Sequence, residues 1–500
     1  MTAGFARAAC RALCTAAVWA AVTPASAQNE QDLLRYSYLE TTGGSFRYMG
    51  LGGAGVALGA DLGAAGHNPA GLGVYRRGDL GMSFGVDGRL TTTTMAGPAA
   101  DESTFSGSMP NIGIALTYPS IDPDWAFSTL AITYHQRAAF SERFEVPQHT
   151  SGTSLLDVFR DQATGYANAD LESSALPFTA GPAWLTYLLD PDPAGGPTDY
   201  ITAIPNGGVD IRQEVQREGR YGETEIAFAT GFRNTLFGGI TLSVPNVRFS
   251  ETARYRESVR QDTLDLSEWT YTEVLDVEGS GVSAKLGILW HASDWLRLGG
   301  SFHLPTRLKF QETYATTTSS VFRDNTSYSH DSPVNSFDYI VRTPGRVLLG
   351  AAFILGDFGI LSADYERVDH RGGRLRPTAA SDFDRDSYFD VENEAADRVL
   401  AVSHAARVGL ELRVAEQWRV RFGAGQETSP YSAAADIQSD ATRYSGSFGV
   451  EWRKDRFYLG GAFRRSWYSG DYYLNNPELT DPAQIARVRG LGTIGAGVRL

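Results

Sequence analysis

The sequence predicts an all-β fold: a fourteen-stranded antiparallel transmembrane β-barrel, preceded by a glycine-rich N-terminal segment. Three observations predict it. Apolar and polar residues alternate with period two in fourteen segments between Leu80 and Leu500. The connections between those segments alternate between tight and long. An export signal precedes a chain in which no apolar run approaches the roughly 18 residues of a membrane-spanning helix.

The signal occupies residues 1–27. Arg7 and Arg11 form a basic n-region without an acidic residue, 12–22 is a short apolar run, and Ala25-Ser26-Ala27 has the form of a cleavage site. Cleavage is expected after Ala27. Both cysteines, Cys10 and Cys14, lie inside this segment, and neither sits in a lipoprotein context. The exported chain must therefore hold itself together without disulfides. The formal charge is −14, and removing Arg7 and Arg11 leaves −16. That balance argues against nucleic acid as a partner, because phosphate binding needs a basic footprint.

A hatch is expected over 28–78, ahead of a barrel over 79–500. Its centre, 47–75, is rich in Gly and Ala and closes on Asn68-Pro69-Ala70-Gly71-Leu72. A segment inside a barrel must bring its backbone close to lumen side chains. Gly50, Gly52 and Gly53 allow that approach and positive φ. Pro69 biases Asn68 toward extended backbone and brings no N–H to satisfy, while Asn68 can bond local backbone and make a turn. Gly50, Gly52, Gly53, Asn68, Pro69 and Ala70 are the candidate gating residues. The plainer reading is a turn before a strand.

The barrel begins with the clearest strand: Leu80, Met82, Phe84 and Val86 share one face, Gly81, Ser83, Gly85 and Asp87 the other. The pattern recurs at 112–118, 130–134, 224–228, 240–244, 282–290 and 296–304. Segments near 339–353 and 358–365 are more continuously apolar. Alternation returns at 408–414, 420–424, 444–452, 457–463 and 494–500. Tight turns fall at 119–124, 233–236, 291–294, 355–357, 415–417 and 453–456. Long connections include 91–111, 140–220, 315–338, 370–406 and 469–486. Loops sorted this way mark an outer-membrane barrel with an even strand number and both termini in the periplasm.

The faces of the later strands differ as a barrel requires. A charge on the lipid face at mid-membrane costs about 2–4 kcal/mol, so Arg407, Arg413, Arg419 and Arg421 are expected to line the lumen. There each would pair with a carboxylate such as Glu411, Glu451 or Asp61, or hold a ligand head group. Tyr118, Trp125, Tyr134, Trp290, Trp295, Trp418 and Trp452 suit an aromatic girdle.

Phe46-Arg47-Tyr48, the GLGGAGVAL run at 50–58 and the Asn68–Leu72 close together resemble the hatch of the FadL-type outer-membrane transporters, the long-chain fatty acid and toluene-uptake channels. Residues 111–143, Thr343-Pro344-Gly345-Arg346, Leu361-Ser362-Ala363-Asp364-Tyr365-Glu366, 407–412 and 421–431 resemble later parts of that family, nearest its haemin-receptor-like branch. The alternating end of the chain resembles the signal read by the barrel-assembly machinery, with Leu500 where an aromatic is usual. The resemblance implies a hydrophobic small-molecule ligand, such as a long-chain fatty acid, entering by ligand-gated passive diffusion. A hatch rearrangement and a lateral opening would release it. It also implies residence in a Gram-negative-type outer membrane among its lipids, and no catalytic residue, metal or cofactor. An outer-membrane lipid hydrolase and a structural or adhesive barrel are the alternatives.

Other motifs lack their context. Gly50-x-Gly52-x-x-Gly55 has no βαβ unit around it. Gly81-Met82-Ser83-Phe84-Gly85 places its serine in mid-strand, not at a strand-to-helix turn. Asp382-x-Asp384-x-Asp386 opens like a calcium loop, but Ser387 and Asn393 replace the expected Gly and Glu, so 382–397 reads as an acidic solvated loop. The histidines are scattered, and nothing in their spacing supports haem ligation by His67. In the 140–220 loop, Leu155, Val158 and Phe159 share one helical face, and Trp184, Leu185, Tyr187 and Leu188 form an apolar run. Such a patch must pack on the barrel rim or receive an apolar ligand, and these are the candidate capture residues.

Overall fold

The computed structural model describes residues 30–500, apart from 41–43, 96, 126, 174, 205–207, 262, 379–386, 436–440 and 475–481. The signal segment with Ala27, and Asp382, Asp384 and Asp386, lie outside the described residues.

Fourteen strands close into one antiparallel wall. They are β1 Asp79–Thr94, β2 Ala100–Pro119, β3 Phe127–Ala139 continued by Glu142–Ser151, β4 Val209–Phe232, β5 Leu236–Val259 and β6 Leu266–His291. Next come β7, Leu296–His303 with Arg307–Phe322; β8, Asn335–Arg342 with Arg346–Ile354; and β9, Gly359–Asp369 with Arg374–Pro377. The last are β10 Val402–Arg413, β11 Trp418–Glu427, β12 Arg443–Lys454, β13 Phe457–Tyr472 and β14 Ala483–Arg499. β14 pairs with β1 from Asp79↔Arg499 to Thr94↔Gln484, so no sheet edge is left at the closure.

The two faces sort as the alternation requires. Leu80, Met82, Phe84 and Val86 are 43–57% exposed on the outside, while Ser83 and Asp87 are buried inside. A continuous apolar exterior is what lipid demands of a barrel. β4, β5 and β6 run for 24, 24 and 26 residues, far more than the roughly 9–11 that cross a bilayer. The strands therefore continue past the membrane on the long-loop side. This corrects the loops expected at 91–111 and 315–338, which are mostly strand. Outside the bilayer the outward face turns to Ser, Thr and charge, so the apolar alternation fades while the pairing persists.

Two irregularities shape the wall. β7, β8 and β9 break at 304–306, 343–345 and 370–373, where Pro305 and Pro344 lack an N–H for the ladder. β3 bends at a register shift between Gln136 and Ala138. Its pairing with β2 stops at Asn111↔His135, and above that level β2 pairs only with β1. The continuation of β3 turns inward, where Glu142 meets Arg487 at 2.6 Å, Arg217 at 3.1 Å and Arg89 at 3.4 Å.

The loop between β3 and β4 folds over the mouth as helices Leu155–Ala163, Asn168–Glu172 and Ala180–Leu185 and a small hairpin. The first helix buries Leu156, Phe159 and Ala163, so Leu155 and Val158 are not its seating face as expected. The reason is tertiary: Phe159 lies edge-on to Trp269 and Tyr271 of β6, which fixes the helix rotation. Buried Glu257 of β5 pins the helix start. It accepts from Ser154 Oγ at 2.6 Å, Leu155 N at 2.8 Å, Tyr255 Oη at 2.6 Å and Trp269 Nε1 at 2.9 Å. Leu188 is buried, Trp184 packs edge-on to Tyr200, and Leu185 and Tyr187 are exposed.

Replacing Glu257 by Ala strands those donors, at about 1–3 kcal/mol for each that stays buried without a partner. Limited proteolysis of Glu257→Ala should cut within 140–220 while the barrel keeps its heat-modifiable gel mobility. Unchanged protection would show that the carboxylate does not hold the cap.

Candidate functional site

The segment 44–75 fills the lumen between the two ends of the wall, docked by its backbone and by apolar side chains such as Phe46, Leu51, Leu62 and Leu72 that pack on the wall. Gly52 and Gly53 adopt φ of +67° and +85°, which turns the chain beneath the helix Phe46–Gly50. The wall supplies glycines opposite. A Cβ on Gly423 would stand 2.2 Å from Gly52 N, one on Gly299 2.4 Å from Val56 O, and one on Gly287 2.0 Å from Asn68 Oδ1. Short wall side chains then reach the exposed backbone. Asp364 accepts from Gly55 N at 2.7 Å and Val56 N at 2.9 Å. Ser362 donates to Ala54 O, Ser447 to Gly50 O and Thr241 to Ala65 O.

Asn68, Pro69 and Ala70 form the last joint before the wall. Asn68 Nδ2 donates to Val56 O at 2.8 Å and to Ile288 O of β6 at 3.0 Å, and its Oδ1 accepts from Ala70 N at 3.2 Å. One side chain thus ties the segment to itself and to the barrel. Arg47 adds an ionic clamp, with Nε on Glu411 at 3.0 Å and Nη1 on Gly59 O.

On the long-loop side of this plug lies the helix Glu30–Ser37. The first described residues are thus inside the lumen. Leu33, Leu34, Tyr36 and Leu39 pack among Phe249, Phe310, Tyr339, Val341 and Leu375 of the upper wall. Tyr36 stacks on Phe310 at 4.4 Å, and Ser37 O accepts from Arg346.

Between helix and plug is a polar chamber lined by Arg137, Arg346, Arg407, Arg443 and Arg464 with Glu40, Glu366 and Glu427. A second cavity shares Arg137, His303 and Arg346 with it. Five guanidiniums face three carboxylates, so the chamber favours anions. Arg407 pairs with Glu366 at 2.8 Å. Arg421, fully buried below, bridges Glu411 at 2.6 Å and Glu451. Arg419 is half-buried nearer the turn. Arg413 is a correction: it is exposed at the end of β10, where the strand leaves the lumen.

Several site residues went unnamed in the sequence. Lys285 of β6 bridges Glu223 and Glu225 of β4, and Glu225 also holds His135. Their inward parity on alternating strands was the available signal. Ser83 sits mid-strand opposite Asn111 and Gly495, without the exposed turn a nucleophile elbow needs. Asn393, twelfth in the calcium-like run, is spent on both backbone groups of Leu375.

No family model and no curated protein matches the chain. Solved structures do. The crystal structure of a Pseudomonas aeruginosa FadL homologue aligns with a TM-score of 0.56 at 12% identity, covering 92% of this chain and 98% of that one. The Pseudomonas putida toluene transporter TodX aligns with a TM-score of 0.52 at 13% identity, covering 92% and 99%. At such identities the shared feature is the fold.

Two outcomes follow from the docking geometry. Asp364→Ala leaves two plug amides without their acceptor, weakening docking by about 2–4 kcal/mol. Resting conductance in planar bilayers should rise at least tenfold, with normal barrel assembly; a silent variant would show that these bonds do not hold the plug. The second concerns pH. Burial, with the Arg137 guanidinium nearby, holds the His67 imidazole well below its ordinary value of 6.5. An undocked plug would take up a proton that the docked plug refuses. Docking is therefore strongest above about pH 6.5 and weakens on acidification below it. Conductance should climb as pH falls from 6.5, and His67→Gln should flatten that climb.

Proposed function

We propose that the protein is an outer-membrane channel through which hydrophobic small molecules, long-chain fatty acids or similar, enter by ligand-gated passive diffusion. One observation carries the reading: a closed, apolar-sided barrel is stopped by its own N-terminal segment, docked through glycines, single hydrogen bonds and small apolar clusters with the wall. The likeness of fold to a FadL homologue and to a toluene transporter supports it.

The path begins at the cap, where exposed Leu185 and Tyr187 offer apolar surface and buried Phe159 and Leu188 hold the cap in place. Leu155, Val158 and Trp184, partly buried, flank that surface. The ligand then competes with the helix Glu30–Ser37 for the apolar upper lumen. Displacing that helix loosens the Ser37–Arg346 contact and opens the arginine chamber, where Arg407 is the guanidinium of choice for a carboxylate. Gly50, Gly52, Gly53, Asn68, Pro69 and Ala70 act as the gate. The unpaired seam between β2 and β3 is the exit through the wall. No step needs covalent chemistry. The barrel-assembly machinery would insert the chain with the long loops outside.

Uptake of labelled oleate and of toluene should be measured in a host lacking its own transporter. Insertion of this protein should raise at least one severalfold over an empty vector. A properly inserted barrel that raises neither would overturn the channel reading.

A further inference from the structure

The outer wall carries a feature that a channel does not explain. Directly above the breaks in β7, β8 and β9, three arginines stand side by side across neighbouring strands. Arg307 pairs in register with Arg342, and Arg342 with Arg374. One step higher, Lys309 and Arg376 flank Ile340 in the same way. All five point outward, because Leu308, Val341 and Leu375 between them are buried in the lumen. Like charges facing each other across a sheet repel. Lys309 and Arg374 are met by Asp338 and Asp397, at 3.2 and 3.1 Å. Arg307, Arg342 and Arg376 are exposed and have no carboxylate partner among the described residues.

The height of the row decides what can meet it. Below it the outward residues are Phe302, Leu304, Val347 and Leu349, all exposed. From Leu296 to Leu304, at about 3.3 Å per residue and a tilt of about 40°, the strand climbs roughly 20 Å. The apolar band of such a barrel is about 25 Å tall. The arginines thus lie at its upper edge, on the side of the long loops, at the level of lipid head groups. Guanidinium forks bind phosphate oxygens in pairs, and bridging phosphates turn repulsion along the row into attraction.

We infer that this face of β7–β9 is a binding site for a phosphorylated glycolipid head group of the outer leaflet, held by Arg307, Arg342 and Arg376 with Lys309 and Arg374 at its flanks. The inference rests on the outer-membrane placement proposed above and not on the transported ligand.

Native mass spectrometry of the detergent-extracted full chain tests it, with bisphosphorylated lipid A, its dephosphorylated form, phosphatidylglycerol and inorganic phosphate as probes. Bisphosphorylated lipid A should form a one-to-one adduct. The triple variant Arg307→Gln, Arg342→Gln, Arg376→Gln should bind it at least tenfold more weakly. Arg248→Gln, an outward arginine already paired with Glu278, should bind as wild type. Heat-modifiable mobility checks folding, and Arg342→Gln alone serves if the triple variant misfolds. Equal binding by the variant, or by dephosphorylated lipid, would overturn the site. Equal binding of phosphatidylglycerol would overturn the glycolipid assignment, and of inorganic phosphate the lipid assignment. Uptake assayed in parallel keeps the two readings apart: lipid binding without uptake refutes the channel, and uptake without lipid binding refutes the site.

Discussion

A chain threaded through a barrel has its amides and carbonyls answered by the wall or not at all, since buried backbone groups left alone cost as much as lost hydrogen bonds. That constraint organises the lumen. Asp364, Ser362, Ser447 and Thr241 are short, inward side chains, each spent on plug backbone. They reach it because glycine stands on both sides of the contact, at Gly52 in the plug and at Gly299 and Gly423 in the wall. Each such bond is worth on the order of 1 kcal/mol net, or more where a carboxylate accepts, and they add to the apolar contacts that Phe46, Leu51, Leu58 and Leu72 make with the wall.

Charge is arranged on the same logic. The chain is acidic overall, yet its central chamber is cationic. Glu366 serves Arg346 and Arg407 together, and Glu411 serves Arg421 of the wall and Arg47 of the plug. Buried pairs like these repay little of their desolvation as stability. What they fix is position: Glu411 holds Arg47 of the plug at 3.0 Å while Arg421 holds Glu411 in the wall at 2.6 Å.

The fold was legible because lipid imposes it. An exterior that must be apolar writes Leu80, Met82, Phe84 and Val86 into the sequence at every second position, and tight turns separate the strands. Above the bilayer that pressure ends. Thr91, Thr93, Thr316 and Thr318 continue the strands with polar residues on both faces, so β1, β2 and β7 read as loops there. Parity showed which charges face inward but not where a strand stops, which is why Arg413 was misplaced. The plug announced itself through its glycines. Its partners did not, because an inward Gly409 or Gly423 looks like any small residue. The rotation of the helix Leu155–Ala163 was beyond local pattern: it is set by Trp269 and Tyr271, more than a hundred residues away.

The seam beside β3 is where these constraints meet. A strand that merely frayed would present its unpaired groups to lipid, which hydrocarbon does not tolerate. β3 instead bends inward, and the bend delivers Glu142 to arginines of three different strands: Arg89 of β1, Arg217 of β4 and Arg487 of β14. Those strands lie on both sides of the seam, so the carboxylate braces the wall across the gap. Arg217 in turn holds Glu251 of β5 at 2.5 Å and leans on Phe144 of β3 itself. The unpaired stretch is thus framed by an ion network and is a built part of the wall. Two facing strands pair by default, so a stretch left unpaired in a closed barrel needs such a frame.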